Sequence, residues 1–471
     1  MNESRKPSCS GCASRDAEIA AKDAEIARLR ERLVAAKKDS SNSSKPPSSD
    51  IVKPDTKPPI PEGQDKRHIG GQPGHVAHFR DLFEGLDIHE NVEHPLDACP
   101  NCGGGVHRNG PIVMRKQQVE IVLPKLFVTE HQFPEYWCDS CGKSCRAPLP
   151  TEVERGGMAG PTLTTLVAYL KGCCHASFST IRLFLRDVCG LTISRGNLVK
   201  IINRVATTLN APYEELEKRL PEQDRLNVDE TGHPENGKLL WTWCLKADLF
   251  TVFHISPSRG SDVLIELLGQ EFDGMLGCDY FSAYRKFMRV VHIEVQFCLA
   301  HLIRDVKFLC GLPDIRDKAY GVGLSLGLKR LFEVIHRRAQ MTDAQFQSEL
   351  EKAKSEILAF AKQAPATQRS QNMAKRFEKH GESYFTFITT PEMDPTNNAA
   401  ERAIRFVVLD RVVTQGTRGE KGQRWCERIW TVLATCQQRK ISAFAYLISA
   451  VGHWMAGGDV PSLLNGPFAP A

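Results

Sequence analysis

Two short apolar runs, Leu226-Asn227-Val228-Asp229 and Met275-Leu276-Gly277-Cys278-Asp279, each end in an aspartate. Between them lie two strand-like runs, LLWTWCLKA (239–247) and LFTVFHIS (249–256), and a helix-like run, SDVLIELLG (261–269). Antiparallel strands followed by a helix and a further strand predict a layered α/β domain. Since both aspartates come at strand ends, a buried scaffold would hold their carboxylates rigidly. We expect the aromatic residues of the first strand-like run to lie in the core.

A third carboxylate follows about 120 residues later, in the segment Asn397-Asn398-Ala399-Ala400-Glu401. The segment comes just after Pro395 and has the character of a helix start. If this helix packs beside the two strands, Asp229, Asp279 and Glu401 converge as hard oxygen ligands of the kind that Mg²⁺ prefers. Two divalent ions about 4 Å apart are the arrangement that phosphodiester chemistry uses. Any one of these acids could simply be solvated, and only the three together predict a metal site.

The composition excludes several classes of protein. The chain has 471 residues, of which 41% are hydrophobic and 25% charged, and this length predicts about three domains with linkers. No apolar run of about 18 residues is present, and the first residues lack the apolar centre of a secretory signal. We therefore expect a cytoplasmic protein whose 16 cysteines are reduced thiols or metal ligands. The net charge of +5 is too small to indicate nucleic-acid binding by itself.

The N-terminal segment 1–38 is predicted to be a coiled-coil helix. Ile19, Ile26 and Leu33 are spaced by seven residues, and Leu29 falls at a second apolar position of the heptad. Such a helix can dimerise or can dock on its own chain. Residues 39–80 are rich in Ser, Pro and Gly and predict a mobile linker, which serves either as a spacer or as a basic arm that touches phosphate.

Residues 81–150 are predicted to form a zinc-binding module. They contain two CxxC pairs, each followed by glycine and separated by about 35 residues: Cys99, Cys102, Cys138 and Cys141. Four thiolates in two such turns form a closed tetrahedral structural Zn²⁺ site. Strands predicted at Gln118–Leu123 and Leu126–Gln132 would bring the pairs together. The alternative, four free thiols, is less compatible with two glycine-flanked pairs.

Residues 155–220 are predicted to be a helical, helix-turn-helix-like DNA-binding domain. Two amphipathic stretches, Thr162–Lys171 and Ser179–Val188, precede a third helix that starts at the N-cap Ser194. The polar residues of this third helix suit DNA, with three cations for phosphates and an amide for a base edge: Arg195, Lys200, Arg204 and Asn197. A small helical subdomain with a solvated polar face is an equally common interpretation.

The α/β pattern of 225–309 is interrupted at 310–390 by predicted long helices. One of them places apolar residues at alternating spacings of four and three: Phe346, Leu350, Ala353, Ile357 and Phe360. The pattern resumes at 391–440, and a helix and tail follow at 441–471. We interpret 310–390 as a helical insertion that divides one α/β domain into two parts.

Basic residues predominate after Glu401. Between positions 402 and 440 there are nine Lys or Arg against three acids. Arg402 and Arg405 flank Glu401 and are expected to place a scissile phosphate, and Arg418 and Lys421 are expected to contact further DNA phosphates. From Arg411 onward the excess also fits a solvated helix face.

The order of short motifs resembles that of the IS66 family of bacterial insertion-sequence transposases over almost the whole chain. The motifs are SSNSSKPPSSD (40–50), GGQPGH (70–75), the two CxxC pairs, DETG (229–232), DYFSAY (279–284), CLAH (298–301), TNNAAERAIR (396–405) and GTRGEKG (416–422). The resemblance implies a multidomain protein of α+β and α/β class. Its catalytic domain would be ribonuclease H-like, with Asp229, Asp279 and Glu401 as a DDE triad and with an all-helical insertion.

The resemblance also implies the reaction: metal-dependent hydrolysis at the element ends and transfer of the 3′-hydroxyl ends into target DNA. The cofactors would be two Mg²⁺ or Mn²⁺ ions and a structural Zn²⁺, and the protein would work in the bacterial cytoplasm at the nucleoid. Partners would be terminal inverted repeats, target DNA, further copies of the chain and accessory proteins of the element. His301, in the CxxH motif, is either an auxiliary site residue or a packed core histidine.

Two alternatives remain open from the sequence. The chain could be a non-catalytic DNA-binding regulator or domesticated transposase, although all three acids are present. It could also be a ribonuclease H-like nuclease without strand transfer, which has the same metal chemistry and lacks only the joining step.

Overall fold

The computed structural model describes residues 10–36, 82–92, 94, 97–107, 115–119, 126–390 and 392–466. The chain divides into two compact units, one of residues 55–128 with 188–190 and the other of residues 1–54, 129–187 and 191–471. The linker predicted at 39–80 lies outside the described residues. No helix in the described part of the chain is both long and apolar enough to cross a membrane.

In the smaller unit, the described residues form turns rather than long elements. A short 3₁₀ turn spans Gly85–Asp87, and an isolated antiparallel bridge joins Ala98 to Gly105. The side-chain amide of Gln117 exchanges two hydrogen bonds, of 2.8 and 2.7 Å, with the backbone of Phe83. This single amide thus ties two distant stretches of the unit together.

The strand prediction at Leu126–Gln132 is wrong, because these residues have no regular structure. Phe127 and Val128 are 95% and 82% exposed, so the apolar character that suggested a strand finds no packing partner. Residues 120–123 of the other predicted strand, Gln118–Leu123, lie outside the described residues. Strands β1 (Tyr136–Cys138) and β2 (Lys143–Cys145) instead form an antiparallel hairpin around the second CxxC pair.

Helix α1 spans Ser10–Ala36. Ile19, Ile26, Leu29 and Leu33 are between 45% and 57% exposed. The apolar heptad positions of this helix are therefore uncovered in the single chain.

The centre of the larger unit is a five-stranded sheet of order β5-β4-β3-β6-β7. Its strands are β3 (Arg225–Glu235), β4 (Lys238–Lys246), β5 (Thr251–Ser256), β6 (Met275–Cys278) and β7 (Val295–Phe297). The first three are antiparallel neighbours, and β6 and β7 continue parallel to β3. Asn236 and Gly237, both with positive φ, make the two-residue turn between β3 and β4, which is the pairing that a tight hairpin favours.

Helices precede the sheet and alternate with its later strands. Those before it are α2 (Thr151–Gly156), α3 (Pro161–Gly172), α4 (Phe178–Asp187), α5 (Arg195–Thr208) and α6 (Asn210–Lys218). Those between and after the later strands are α7 (Ser261–Leu268), α8 (Ser282–Val291) and α9 (Leu299–Cys310). Helix α5 begins at the predicted cap, since Ser194 Oγ accepts a 3.2 Å hydrogen bond from the backbone N–H of Asn197.

The segment between β7 and the last helices has helices, turns and loops but no strand among its described residues. It contains α10 (Ile315–His336), α11 (Asp343–Ala361) and α12 (Gln368–His380), and the chain then ends in α13 (Asn398–Thr414), α14 (Glu420–Gln438) and α15 (Ala443–Met455). Leu350, Ala353 and Ile357 of α11 are buried, as their spacing predicts. The mixed helix-and-sheet organisation expected from the sequence is confirmed.

The outer strand β5 is covered by side chains of α14. The backbone N–H groups of Thr251, Phe253 and Ile255 donate to Thr435 Oγ1, Thr431 Oγ1 and Glu427 Oε1 at 3.2, 3.0 and 2.7 Å. Alternate strand residues thus meet side chains one helical turn apart. Helix α14 satisfies the N–H groups that an edge strand would otherwise leave open.

Candidate active site

Asp229 and Asp279 come together through the register of two parallel strands. Asn227 of β3 is paired with Gly277 of β6. The aspartate comes two residues later on each side, as Asp229 and Asp279. Asp279 Oδ1 accepts a 2.8 Å hydrogen bond from the N–H of Phe281, which fixes its carboxylate at the start of the next helix. A Cβ at Gly277 would lie 2.5 Å from Asn227 Nδ2, so a larger residue there would displace the Asn227 amide from its bond to Asn397.

Asn397 attaches the start of α13 to the same strand end. Its Nδ2 donates to the Val228 carbonyl oxygen at 2.8 Å, and its Oδ1 accepts from Asn227 Nδ2 at 3.0 Å. Its backbone N–H donates to Cys298 Sγ at 3.1 Å, and the residue is 1% exposed. Glu401 lies one helical turn further, because its N–H donates to the Asn397 carbonyl oxygen at 3.1 Å. The buried asparagine therefore holds the start of the helix that carries Glu401 against the strand end that carries Asp229.

The three acids repel one another electrostatically. Burial, followed by the charges of Glu230, Asp279 and Glu401, raises the pKa of Asp229 well above its ordinary value. Burial also raises the pKa of Asp279 and of Glu401, while nearby arginines partly oppose the shift in each case. A cluster of hard oxygen donors whose negative charges destabilise one another is a favourable site for a divalent cation such as Mg²⁺.

Glu230 is a fourth buried acid in this region, and the sequence interpretation did not include it. Its side chain is 2% exposed, accepts hydrogen bonds of 3.0 and 2.7 Å from Arg259, and accepts another from the Tyr284 hydroxyl. Burial and the charge of Asp279 raise its pKa to about 7, against the lowering effect of Tyr284 and Arg259. Both residues stand in motifs of the sequence: Glu230 is the second residue of DETG (229–232), and Tyr284 is the last residue of DYFSAY (279–284).

Arg259 is held between two aromatic rings. Its guanidinium lies 4.3 Å from the Trp241 ring centroid and 4.0 Å from that of Phe281. Cation–π contacts of this kind hold a guanidinium in one orientation. Arg259 thus connects Glu230 to the residue two positions after Asp279.

Helix α9 directs His301, Arg304 and Asp305 towards the acids, at the three- and four-residue spacing of one helix face. His301 Nδ1 and Arg304 Nη2 each lie 3.4 Å from Glu401 Oε1. Burial and the Arg304 charge lower the pKa of His301 to about 4, so the imidazole is neutral near pH 7. Ligand atoms of Cys298, His301 and Glu401 lie within 4.8 Å of one another. The structure thus brings His301 beside Glu401, and it adds Arg304, which sequence reasoning missed.

The residues predicted to contact DNA through α5 differ in their environments. Arg195 and Lys200 are exposed, and Arg195 Nη2 donates to Ser179 Oγ at 3.0 Å. Asn197 is half-buried, with its Nδ2 3.4 Å from Met158 Sδ. Arg204 is also half-buried and donates to the Gly156 carbonyl oxygen. Arg195 and Lys200 are consequently the most accessible of the four.

The four basic residues that follow Glu401 and were predicted to contact DNA are all exposed: Arg402, Arg405, Arg418 and Lys421. The first pair lies on α13 beside Glu401. The second pair follows the loop at Thr417, whose N–H donates to the Pro234 carbonyl oxygen at 3.1 Å and whose Oγ1 donates to Glu235 Oε2 at 2.8 Å. Since Glu235 is six residues along β3 from Asp229, this loop lies roughly 20 Å along the strand from the acids.

The two CxxC pairs have the same local backbone geometry. In the first, the Gly103 N–H donates to the Cys99 carbonyl oxygen at 2.8 Å, and in the second, the Gly142 N–H donates to the Cys138 carbonyl oxygen at 2.9 Å. Both glycines have positive φ. Backbone N–H groups of Asn101 and Cys102 lower the pKa of Cys99, and those of Cys141 and Ser140 lower the pKa of Cys138. Each turn therefore favours the thiolate, which is the form that binds metal.

Comparison with known proteins identifies the family of the chain. Residues 156–424, more than half of the chain and including all three acids, match the model described as Transposase IS66 family. Residues 97–142, including both CxxC pairs, match the zinc-finger binding domain of transposase IS66. The protein is also 24% identical over 394 residues to "Uncharacterized protein y4hP" of Sinorhizobium fredii (strain NBRC 101917 / NGR234), covering 76% of this chain and 70% of that protein.

These matches define a transposase, an enzyme class that acts on nucleic acid, with a zinc-finger domain. The chain belongs to the IS66 transposase family. The resemblance drawn from the sequence motifs is thereby confirmed.

Proposed function

We propose that this protein is a DDE-type DNA transposase that hydrolyses phosphodiester bonds at the ends of its element and transfers the 3′-hydroxyl ends into target DNA. The observation that carries the proposal is the convergence of Asp229, Asp279 and Glu401 through strand register and the Asn397 anchor. The sheet order, three antiparallel strands followed by two parallel ones, supports a ribonuclease H-like catalytic domain divided by a helical insertion.

The donor set fits two Mg²⁺ or Mn²⁺ ions. Asp229 and Asp279 would coordinate metal, and Asp279 or Glu401 would complete the second site. When bound, two such ions activate the attacking oxygen and stabilise the leaving oxygen of a phosphodiester. The raised pKa values of the three acids support this assignment, since burial raises all three, neighbouring carboxylates add to the shift at Asp229 and Glu401, and bound cations would stabilise these buried negative charges as protons do.

The surrounding residues position the acids. The neutral His301 and the cationic Arg304 approach the same oxygen of Glu401 and restrict its carboxylate. Glu230 stays outside the ligand set in this proposal, because Arg259 and Tyr284 already occupy its oxygens. Its backbone N–H donates a 3.0 Å hydrogen bond to Asp229 Oδ1.

The exposed cations give a path for DNA. Arg402 and Arg405 would hold the scissile phosphate beside Glu401, and Arg418 and Lys421 would hold phosphates roughly 20 Å further along β3, or about six base-pair steps at 3.4 Å each. On α5, Arg195 and Lys200 would contact phosphates and Asn197 a base edge, while Arg204 would contribute mainly through its bond to Gly156.

Structural zinc would be bound by Cys99, Cys102, Cys138 and Cys141, each pair presented by a thiolate-favouring turn. The exposed apolar positions of α1 support self-association through a coiled coil. Terminal inverted repeats, target DNA and accessory proteins of the same element complete the proposed partners.

The test is a cleavage and joining assay on labelled element ends in Mg²⁺. Wild type should give hydrolysed and joined products, and Asp229→Asn and Glu401→Gln should give neither while still binding the ends. The matched control is Asp224→Asn, since Asp224 is an exposed acid at the start of β3. Cleavage that persists in Asp229→Asn would refute the triad, and cleavage without joining would favour a nuclease.

A further inference from the structure

A second, strongly basic site lies beside the acids, between α8, α9 and α12. Its cavity has a volume of about 460 Å³. The lining includes five cations and one acid: Arg285, Arg369, Lys375, Arg376, Lys379 and Asp305. We call this the basic pocket. Tyr280, the residue directly after Asp279, forms part of its wall.

Two guanidinium groups of the basic pocket lie over the Tyr280 ring. Those of Arg376 and Arg285 are 3.9 and 4.5 Å from its centroid. Arg376 is further fixed by a 2.8 Å bond from Nη1 to Asp305 Oδ2 and by a bond from Nε to the Tyr384 hydroxyl. This arrangement holds two positive charges close together in a preformed geometry.

Each of these guanidiniums has a buried donor that is not satisfied. Among the residues that the structure describes, Arg376 Nη2 and Arg285 Nε have no hydrogen-bond partner. A buried charged donor without a partner costs free energy. The basic pocket is therefore prepared for an anion that supplies acceptor oxygens, and arginine suits phosphate because of its planar set of donors.

The charge of the pocket also acts on its neighbours. Burial and the cations Arg285 and Lys379 lower the pKa of His380, whose ring lies 5.7 Å from that of Tyr280. Arg376 opposes the burial-induced rise of the Asp279 pKa. Positive potential thus extends from the pocket to the metal-binding acids.

The location selects a DNA strand as the ligand. Tyr280 follows Asp279 directly in the sequence, so the wall of the basic pocket begins one residue from the acids. A strand with one phosphate at the acids would therefore extend into the pocket with the nucleotides that follow. The exposed Lys375 and Lys379 on α12 continue the positive surface outward.

We propose that the basic pocket binds the sugar-phosphate backbone of the DNA strand next to the scissile phosphodiester. This inference rests on the proposed function, since the acids define which phosphodiester is cleaved. It gives the helical insertion a role in holding DNA.

The test compares Lys375→Gln/Lys379→Gln with the matched control Lys329→Gln/Lys352→Gln, which removes two exposed lysines elsewhere on the insertion. Full-length protein binds a fluorescent single-stranded oligonucleotide carrying the element end, without added Mg²⁺, over a series of salt concentrations. Two lost phosphate contacts should weaken binding about tenfold and reduce the salt slope by about 1.4. The control should keep the wild-type slope.

The position of the pocket contact along the DNA strand is tested with neutral methylphosphonate linkages, placed one at a time along the oligonucleotide. A linkage within about two nucleotides of the scissile bond should weaken binding by wild type but not by Lys375→Gln/Lys379→Gln. Equal slopes for the two double variants would overturn the proposal, as would interference that is confined to distant linkages.

A small phosphate ligand is the competing occupant. Calorimetric titration with inorganic phosphate tests for this occupant. The proposal would be overturned if Lys375→Gln/Lys379→Gln lost phosphate binding while its affinity for DNA stayed the same as that of wild type. All binding measurements are repeated in Asp229→Asn. Asp229→Asn is expected to bind DNA without cleaving it, so loss of binding in the pocket variant and loss of cleavage in Asp229→Asn are separate results, and a failure of the pocket is distinguished from a failure of the acid triad.

Discussion

Asn397 Nδ2 donates a 2.8 Å hydrogen bond to the carbonyl oxygen of Val228, the residue immediately before Asp229. Two acids separated by about 170 residues in sequence therefore depend on one buried amide for their relative position.

Asn397→Ala should reduce transposition activity more than stability. It leaves the Val228 carbonyl and the Asn227 amide without their partner, at a cost of about 1–3 kcal/mol, and it releases the start of α13, so cleavage should fall at least tenfold. Asn398→Ala is the control, because Asn398 is exposed. Cleavage rates and thermal melting are measured for both variants. Equal cleavage rates would contradict a positioning role for Asn397.

Glu230→Gln should change the pH dependence of stability. The folded pKa of Glu230 is raised to about 7 from the ordinary 4.5, so its contribution to stability is fully present below pH 4.5 and is lost as the pH rises through 7. The Tm of Glu230→Gln relative to wild type should therefore increase between pH 5 and pH 7.5.

Glu235→Gln is the control for this measurement. Burial raises the pKa of Glu235, but hydrogen bonds from Gln423 and Thr417 outweigh that effect and leave the pKa lowered. Its contribution is present above pH 4.5 and is lost as the pH falls, so Glu235→Gln should show no such increase. A Tm difference for Glu230→Gln that is constant with pH would show that Glu230 has an ordinary pKa.

Zinc should be lost when a proposed ligand cysteine is replaced and kept when a neighbouring cysteine is replaced. Cys138→Ser should lose the bound zinc, measured as metal per chain by mass spectrometry, because a three-thiolate site binds more weakly. Cys145→Ser should retain it, although Cys145 lies in the same hairpin and is exposed. Retention of zinc in Cys138→Ser would exclude this residue as a ligand.

Thr431→Val and Thr435→Val should each destabilise the sheet edge. Each leaves a buried N–H of β5 without an acceptor, which costs about 1–3 kcal/mol, and an open edge strand favours aggregation. Lower Tm and increased light scattering are expected. Thr207→Val is the comparison, since Thr207 is an exposed helix threonine, and an equal effect there would indicate a general consequence of losing a hydroxyl group.

The sequence was informative wherever a residue's role follows from its position in one element. Asp229 and Asp279 follow apolar runs that form strands, and Glu401 follows a helix-start signal, so their convergence could be anticipated. The strand predicted at Leu126–Gln132 failed because β-type composition predicts a strand only when a partner strand is available. The local sequence pattern does not show whether such a partner strand exists.

The residues that were missed owe their roles to tertiary contacts. Arg259 lies in a loop with no motif of its own, and only its position over the rings of Trp241 and Phe281 reveals how it is held. Trp241 was expected to be a core aromatic, yet it stacks on this guanidinium while Trp243 fills the core. Arg304 carried a recognisable signal in its spacing from His301 on α9.

The order of the acids along the chain has a consequence for biosynthesis. A ribosome has translated Asp229 and Asp279, together with the strands that pair them, before it reaches the insertion, and Glu401 follows about 120 residues after Asp279. A nascent chain that has emerged only as far as α12 contains the two aspartates but lacks the third acid. In the proposed mechanism, such a chain cannot cut DNA, so breakage of the host chromosome waits until Glu401 has been added and the last helices have packed on the sheet.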